Sequence, residues 1–264
     1  MGDAPEAHLV TGSRILLGGC AADLLTRDGL LGAIDAAWSE RGVPLAVASA
    51  NLDHIHHFGR GRLHAGTPQV DRTDLRWLVT LDGMPLVKVA NRRTGGSWPR
   101  LAGADLIEPI LRLAESRGVR LGVLGGTAEA QRAMGAALSA RMPGLVVAGM
   151  WAPSRAEITD AERAGATARQ IAATGVDLLV VGLGKPRQEQ WIDRHGLSSG
   201  ASVLLAFGAS MDFLAGRVDR APAWMQRWGL EWLYRLVAEP RRMWRRYLVE
   251  APGALWQVIR SPGR

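Results

Sequence analysis

The chain has 264 residues and a mass of 28.4 kDa, with 47% apolar and 22% charged residues, so it can bury a sizeable core and is not disordered. Its net charge of +7 comes from 32 basic residues, of which only Lys88 and Lys185 are lysine, and ten Trp stand beside them. That combination points to an acidic partner (nucleic acid, a phosphorylated ligand or an anionic membrane), while the single cysteine, Cys20, excludes a disulfide framework and a cysteine-based zinc site.

No apolar run approaches the roughly 18 residues of a membrane span. The segment Met1–His8 carries Asp3 and Glu6 where a secretory signal needs basic residues. The expectation is a cytoplasmic protein, with peripheral membrane binding left open.

Apolar runs ending in glycine or polar residues predict buried parallel strands at Leu45–Ser49, Leu75–Leu81, Val119–Leu124, Leu145–Gly149, Asp177–Gly182 and Val203–Gly208. Alanine-rich stretches between them predict helices, among them Leu106–Arg117, Ala128–Arg141 and Ile158–Thr174. Strand and helix in alternation make an α/β domain with a parallel sheet, whose ligands bind beyond the carboxyl ends of the strands. The alternation stops near residue 214. We therefore divide the chain into an α/β domain over 1–216 and a C-terminal appendage over 217–264. Residues 217–249 hold eight Arg against three acids, net +5 of the total, and four of the ten Trp.

The strand ends carry the informative residues. Ser49 and Asn51 close the first predicted strand, as a helix cap or as a polar pocket wall. His54, His56 and His57 follow, without the spacing of a helical zinc pair, and read as a solvated helix face. Asp82 precedes Gly83 at another strand end; taken alone the pair reads as a turn, with a general base in a cleft as the alternative. Gly125 and Gly126 let a ligand approach the backbone, or serve only a tight turn, and Thr127 can cap the next helix. The run VGLGKPRQEQW (181–191) favours function. Gly182 and Gly184 open the loop, Lys185 and Arg187 suit phosphate, and Gln188 can donate to and accept from sugar hydroxyls. No Asp-x-Asp occurs, so arginine must neutralise phosphate charge if a nucleotide binds; we expect no metal and no cofactor.

In the appendage, Met243, Trp244, Tyr247 and Leu248 fall on one face of a helical wheel, and Arg241, Arg242, Arg245 and Arg246 on the other. This is the pattern of a helix lying in a membrane interface; a helix packed on the domain with its Arg face in water is the alternative. Trp224, Trp228 and Trp232 recur every four residues and read as packing against the core or the membrane interface.

The runs VGLGKPRQEQWI (181–192) and FGASMDFLAGRVDRAPAWMQRWGLEWLYRLVAEPRRMWRRYL (207–248) resemble the WecG/TagA/CpsF family of bacterial glycosyltransferases, family 26. RILLGGCAADLLTRDGLLGAI (14–34), LDGMP (81–85), RLAGADL (100–106) and LGG (124–126) extend the resemblance over nearly the whole chain. It implies a Rossmann-like fold of the GT-E type, with an appendage that completes the site and touches membrane. It also implies transfer from a UDP-sugar (N-acetylmannosamine, its uronic acid, glucose or similar) to a polyprenyl-diphosphate-linked sugar. The reaction would run on the inner membrane face, in teichoic-acid or exopolysaccharide synthesis, and related enzymes imply a homo-oligomer.

By the resemblance Asp82 is the base. Ser49, Asn51, Arg100, Gly103, Asp105 and Gln188 bind substrate. Gly125, Gly126, Gly182, Gly184 and Lys185, with Arg217, Arg220 and Arg227 of the appendage, bind UDP. Ser49 and Ala102 stand where the family's motifs carry Thr, which loosens any transfer of sugar identity. The segment from Phe58 to Thr73 is longer than usual, with HAGTPQVDRT as a loop. The reading is a metal-independent inverting glycosyltransferase. A nucleotide-sugar-binding protein without transferase activity and a basic nucleic-acid-binding module are the alternatives. A nicotinamide dehydrogenase is excluded by the lack of a GxGxxG turn.

Overall fold

The computed structural model describes residues 13–40, 42–59, 73–208, 210, 221–222, 225 and 231–261, the side chain of Arg242 excepted. An antiparallel hairpin opens it: β1 (Arg14–Leu17) and β2 (Cys20–Asp23) are joined by Gly18 and Gly19. Both glycines have positive φ (62° and 91°), as a two-residue hairpin turn requires. Then follow α1 (Arg27–Glu40), β3 (Leu45–Ala50), α2 (Leu52–Phe58), β4 (Arg76–Leu81), α3 (Met84–Thr94) and α4 (Gly103–Arg117). Next come β5 (Arg120–Gly125), α5 (Ala128–Arg141), β6 (Val146–Trp151), α6 (Arg155–Thr159), α7 (Ala161–Ala172), β7 (Leu178–Gly182), α8 (Arg187–His195) and β8 (Val203–Leu205).

The main sheet has six parallel strands in the order β4-β3-β8-β7-β5-β6, the α/β arrangement expected. Its central strands are apolar on both faces because helices cover both. Leu45 and Val47 of β3 point to the side of α1, α4 and α5, where Ile34, Ile110 and Met134 pack. Ala46 and Ala48 point the other way, toward Ile171 of α7 and Trp191 of α8. All six predicted strands are present, with ends displaced by a few residues. The predicted helix over 158–174 is broken at Asp160, whose side chain accepts from Arg163 N and starts α7 afresh.

The hairpin was not anticipated, although its Gly-Gly turn was legible. It docks on β4, the edge strand. Asp23 accepts Val79 N at 2.7 Å and Arg14 Nε at 2.8 Å, so an inward carboxylate satisfies the ladder group that the edge leaves open. Behind it a third apolar cluster gathers Ile15, Leu17, Ile55, Phe58 and Leu86.

From residue 231 the described chain is mostly helical: α9 (Glu231–Ala238), α10 (Pro240–Trp244), a π-helical stretch (Arg245–Glu250) and α11 (Ala251–Arg260). Helix α11 joins the third cluster through Ala254 and Val258 and packs on α2, α3 and β1. Arg93 of α3 caps its end, donating to Val258 O at 2.8 Å and Ser261 O at 2.7 Å. The wider π turn rotates the chain away from an ideal wheel. Met243 and Tyr247 face inward while Trp244 and Leu248 stay exposed, so the predicted single apolar face is split. Among the described residues no helix is long and apolar enough to cross a membrane.

Candidate active site

Strand order decides what meets at the carboxyl edge of the sheet. The chain runs outward from β3 to β4, crosses to β5 and β6, and returns through β7 and β8 to lie again beside β3. The ends of β3, β4 and β7 therefore face one crevice, where open α/β sheets bind ligands.

Ser49 and Asn51 come from the end of β3, and Asp82 from the end of β4, held by parallel pairing that sets Ala50 beside Leu81. Asp82 N donates to Ala50 O at 2.9 Å. Ser49 Oγ and Asn51 Nδ2 both donate to Asp82 Oδ2, each at 3.2 Å, while Asn51 Oδ1 caps α2 by accepting His54 N. Two donors on one oxygen fix the rotation of the carboxylate. The other oxygen, Oδ1, faces Arg100 Nη1 at 3.8 Å. Arg100 also holds Asp105 at 2.8 Å and Glu231 of α9 at 3.2 Å, so three carboxylates surround one guanidinium.

Asp82 stands in the wall between two clefts. One, of about 430 Å³, takes its apolar lining from Leu52, Met84, Pro85, Trp232, Pro252 and Leu255. The other, of about 400 Å³, is polar and carries Ser49, Gly103, Gly182, Gly184, Arg187 and Gln188. Asn51, Asp53, Asp82, Glu231, Arg235 and Arg246 line both. Arg246 Nη2 pairs with Asp53 Oδ2 at 3.2 Å, and Arg235 with Glu231 at 3.2 Å.

In the polar cleft Gln188 donates to Ala206 O at 2.7 Å and keeps Oε1 buried without a hydrogen-bond partner among the described residues. A Cβ on Gly208 would stand 2.6 Å from that oxygen, so the glycine leaves it room in this position. Lys185 is turned inward: Nζ donates to Ser49 O and to His54 Nδ1, and lies 3.5 Å from Glu189. Burial, with the Lys185 charge second, holds His54 well below the usual imidazole range, which leaves its Nδ1 free to accept. Burial pushes Glu189 upward against the pull of Lys185.

A polar cleft and a more apolar one thus meet at an oriented carboxylate. Residues 15–264 match the Glycosyl transferase WecG/TagA/CpsF family. The chain belongs to that family. It is 31% identical over 167 residues to an N-acetylglucosaminyldiphosphoundecaprenol N-acetyl-beta-D-mannosaminyltransferase of Bacillus subtilis (strain 168), covering 63% of this chain and 62% of that relative. A protein of the same name from Staphylococcus aureus (strain NCTC 8325 / PS 47) is 28% identical over 183 residues, 69% of each chain. The match thus spans less than two thirds of the length of the Bacillus relative.

Of the positions that the family motifs single out, Ser49, Asn51, Asp82, Arg100, Gly103, Gly182, Gly184, Lys185 and Gln188 meet at the clefts, and Asp105 holds Arg100. Gly125 and Gly126 line neither cleft. Gly125 (φ 111°) is needed where β5 meets β7, because a Cβ there would lie 2.4 Å from Gly182 O. Arg217, Arg220 and Arg227, Trp224, Trp228 and the HAGTPQVDRT segment up to Arg72 lie outside the described residues.

Two expectations are corrected. The histidines are not a solvated face: His54 is buried, His57 Nε2 lies 3.6 Å from Asp53, and His56 Nε2 lies 3.9 Å from Glu250, because α2 is sandwiched between the sheet edge and α11. Arg246, assigned to the outer face of the wheel, turns inward to Asp53. Sequence reasoning also missed Asp53, Glu231 and Arg235. The one legible signal, the density of Arg in the appendage, bears on Arg235 alone.

Proposed function

We propose that this protein is an inverting glycosyltransferase. It moves a sugar, an N-acetylmannosaminyl group as the relatives' names indicate, from a UDP-sugar to a saccharide on a polyprenyl diphosphate. The observation that carries the reading is the oriented Asp82 carboxylate in the wall between a polar and an apolar cleft.

The UDP-sugar occupies the polar cleft. Gly182 and Gly184 admit it to the backbone, and Gln188 Oε1 offers its unused acceptor to a sugar hydroxyl. The acceptor hydroxyl approaches from the other side. Asp82 takes its proton, the oxygen forms a bond to the anomeric carbon, and the bond from that carbon to the β-phosphate oxygen breaks. The electron pair leaves with UDP, and the single displacement inverts the centre. Arg187, which lines the polar cleft, meets the leaving diphosphate as an electrostatic clamp in place of a metal. The exposed aromatic and basic residues of the C-terminal helices hold the protein on the inner face of the membrane, where the acceptor lies.

Asp82→Asn keeps the hydrogen-bonding shape and removes the base. The expected result is a fall in kcat of about 10² to 10⁴-fold with UDP-sugar affinity retained. A folded Asp82→Asn protein turning over at the wild-type rate would overturn the assignment. Transfer onto a synthetic lipid-diphosphate sugar, screened over UDP-sugars, is the assay.

A further inference from the structure

We propose that the apolar cleft beside Asp82 seats the prenyl segment nearest the diphosphate of the acceptor, so that the protein grips the lipid chain as well as the sugar. This rests on the transferase reading above.

This cleft combines the two chemistries that such a substrate demands. Asp82, Arg100, Arg235 and Arg246 are among its polar and charged lining residues. Its apolar lining comes from Leu52 at the start of α2, Met84 and Pro85 at the start of α3, and Trp232, Pro252 and Leu255 from the C-terminal helices. A free sugar or a nucleotide would leave those apolar side chains in contact with water only. A molecule with an anionic head and a branched hydrocarbon tail matches both kinds of lining, its phosphates on arginine and its tail against the apolar side chains.

The apolar lining also continues onto the surface. Trp232 lines the cleft and is 41% exposed, and Leu233 and Val237 follow it on α9. Trp256 and Ile259 are exposed on α11, the helix that supplies Leu255 to the cleft. A tail drawn from a bilayer under these residues reaches the cleft over apolar surface, without exposure of its first isoprene units to water. The opening is built for that tail: Trp232 packs edge-on against Tyr247 with ring centroids 6.0 Å apart, which holds the wall in place.

The test titrates the full chain, without detergent or membrane, with farnesyl diphosphate and with inorganic diphosphate, by calorimetry. Farnesyl diphosphate is expected to bind at least tenfold more tightly. Leu255→Gln, or Met84→Gln if the first variant fails to fold, is expected to abolish that preference while leaving inorganic diphosphate binding within twofold. Equal affinities in the wild type, or a preference that survives both substitutions, overturn the proposal. The transferase reading fails separately. Prenyl preference with no transfer to any lipid-diphosphate sugar sinks the transferase and leaves the seat. Transfer that is indifferent to the prenyl group sinks the seat and leaves the transferase.

Discussion

At the scale of single residues, the Asp82 carboxylate proposed as the base is held by its neighbours in the sheet. Ser49 and Asn51 point at one Asp82 oxygen because β3 and β4 pair in register, and Lys185 ties the same strand end from the β7–α8 loop through Ser49 O. The buried His54 beneath them makes the protein acid-sensitive. Its folded-state pKa is depressed by burial, so the unfolded chain binds more protons below the ordinary imidazole value of about 6.5, and stability falls as pH drops through that value. His57 has the same sign, while the raised Glu189 has the opposite one. The difference between wild type and His54→Asn isolates the first effect. Below pH 6.5 the wild type should lose up to about 1.4 kcal/mol per pH unit more than the variant in denaturant titrations. Parallel pH curves for the two proteins would refute this. At Gly125 the argument is steric: Gly125→Ala forces a positive φ on alanine and a methyl group onto Gly182 O. Urea unfolding should show a loss of at least about 2 kcal/mol.

Elements explain why the C-terminal helices matter to the site. Helix α11 contributes Ala254 and Val258 to the cluster under the hairpin, and Arg93 fastens its last carbonyls. A cation at a helix carboxyl end with several short hydrogen bonds is worth more than a surface charge. Arg93→Ala should lower stability by about 2 kcal/mol, and Arg93→Lys should recover part of it, measured by thermal or denaturant unfolding. No change on Arg93→Ala would mean that α11 is held by its apolar face alone. Loss of α11 is expected to weaken transfer even onto a soluble acceptor, since Ala251, Pro252 and Leu255 line the apolar cleft.

For the molecule as a whole, basic charge and exposed aromatic surface coincide. Trp244, Leu248 and Trp256 are more than half exposed, Arg245 is largely exposed, and Arg260 stacks over Trp256 at 4.0 Å. A membrane interface uses both properties, because rings sit at the headgroup level and guanidinium groups meet anionic lipid. Flotation with anionic liposomes should be strong for the wild type and should fall at least tenfold for a Trp244→Ser, Trp256→Ser double variant. Salt-dependent DNA binding without flotation would favour the nucleic-acid alternative instead.

The α/β class and the six strands were legible in the pattern of the linear chain, and the family in its motifs. The reason is local: a parallel strand buried on both faces must be a continuous apolar run, and its end must carry whatever touches the ligand. Asp82 and Asn51 read equally as a turn and a helix cap and are singled out by the family motifs, whereas Gln188 stands out in that way. The Arg100–Glu231 and Arg246–Asp53 pairs did not, because their members lie far apart in the chain and meet only through strand order and the π turn. Nor did the burial of His54, which depends on α11 closing over α2. Hydrophobic pattern thus decided which segments form the sheet and which residues stand at its rim. The three-dimensional arrangement alone decided which arginines face the clefts and how the polar and apolar halves of the site divide at Asp82. Periodicity records which side of an element is apolar; it carries no information about what lies opposite.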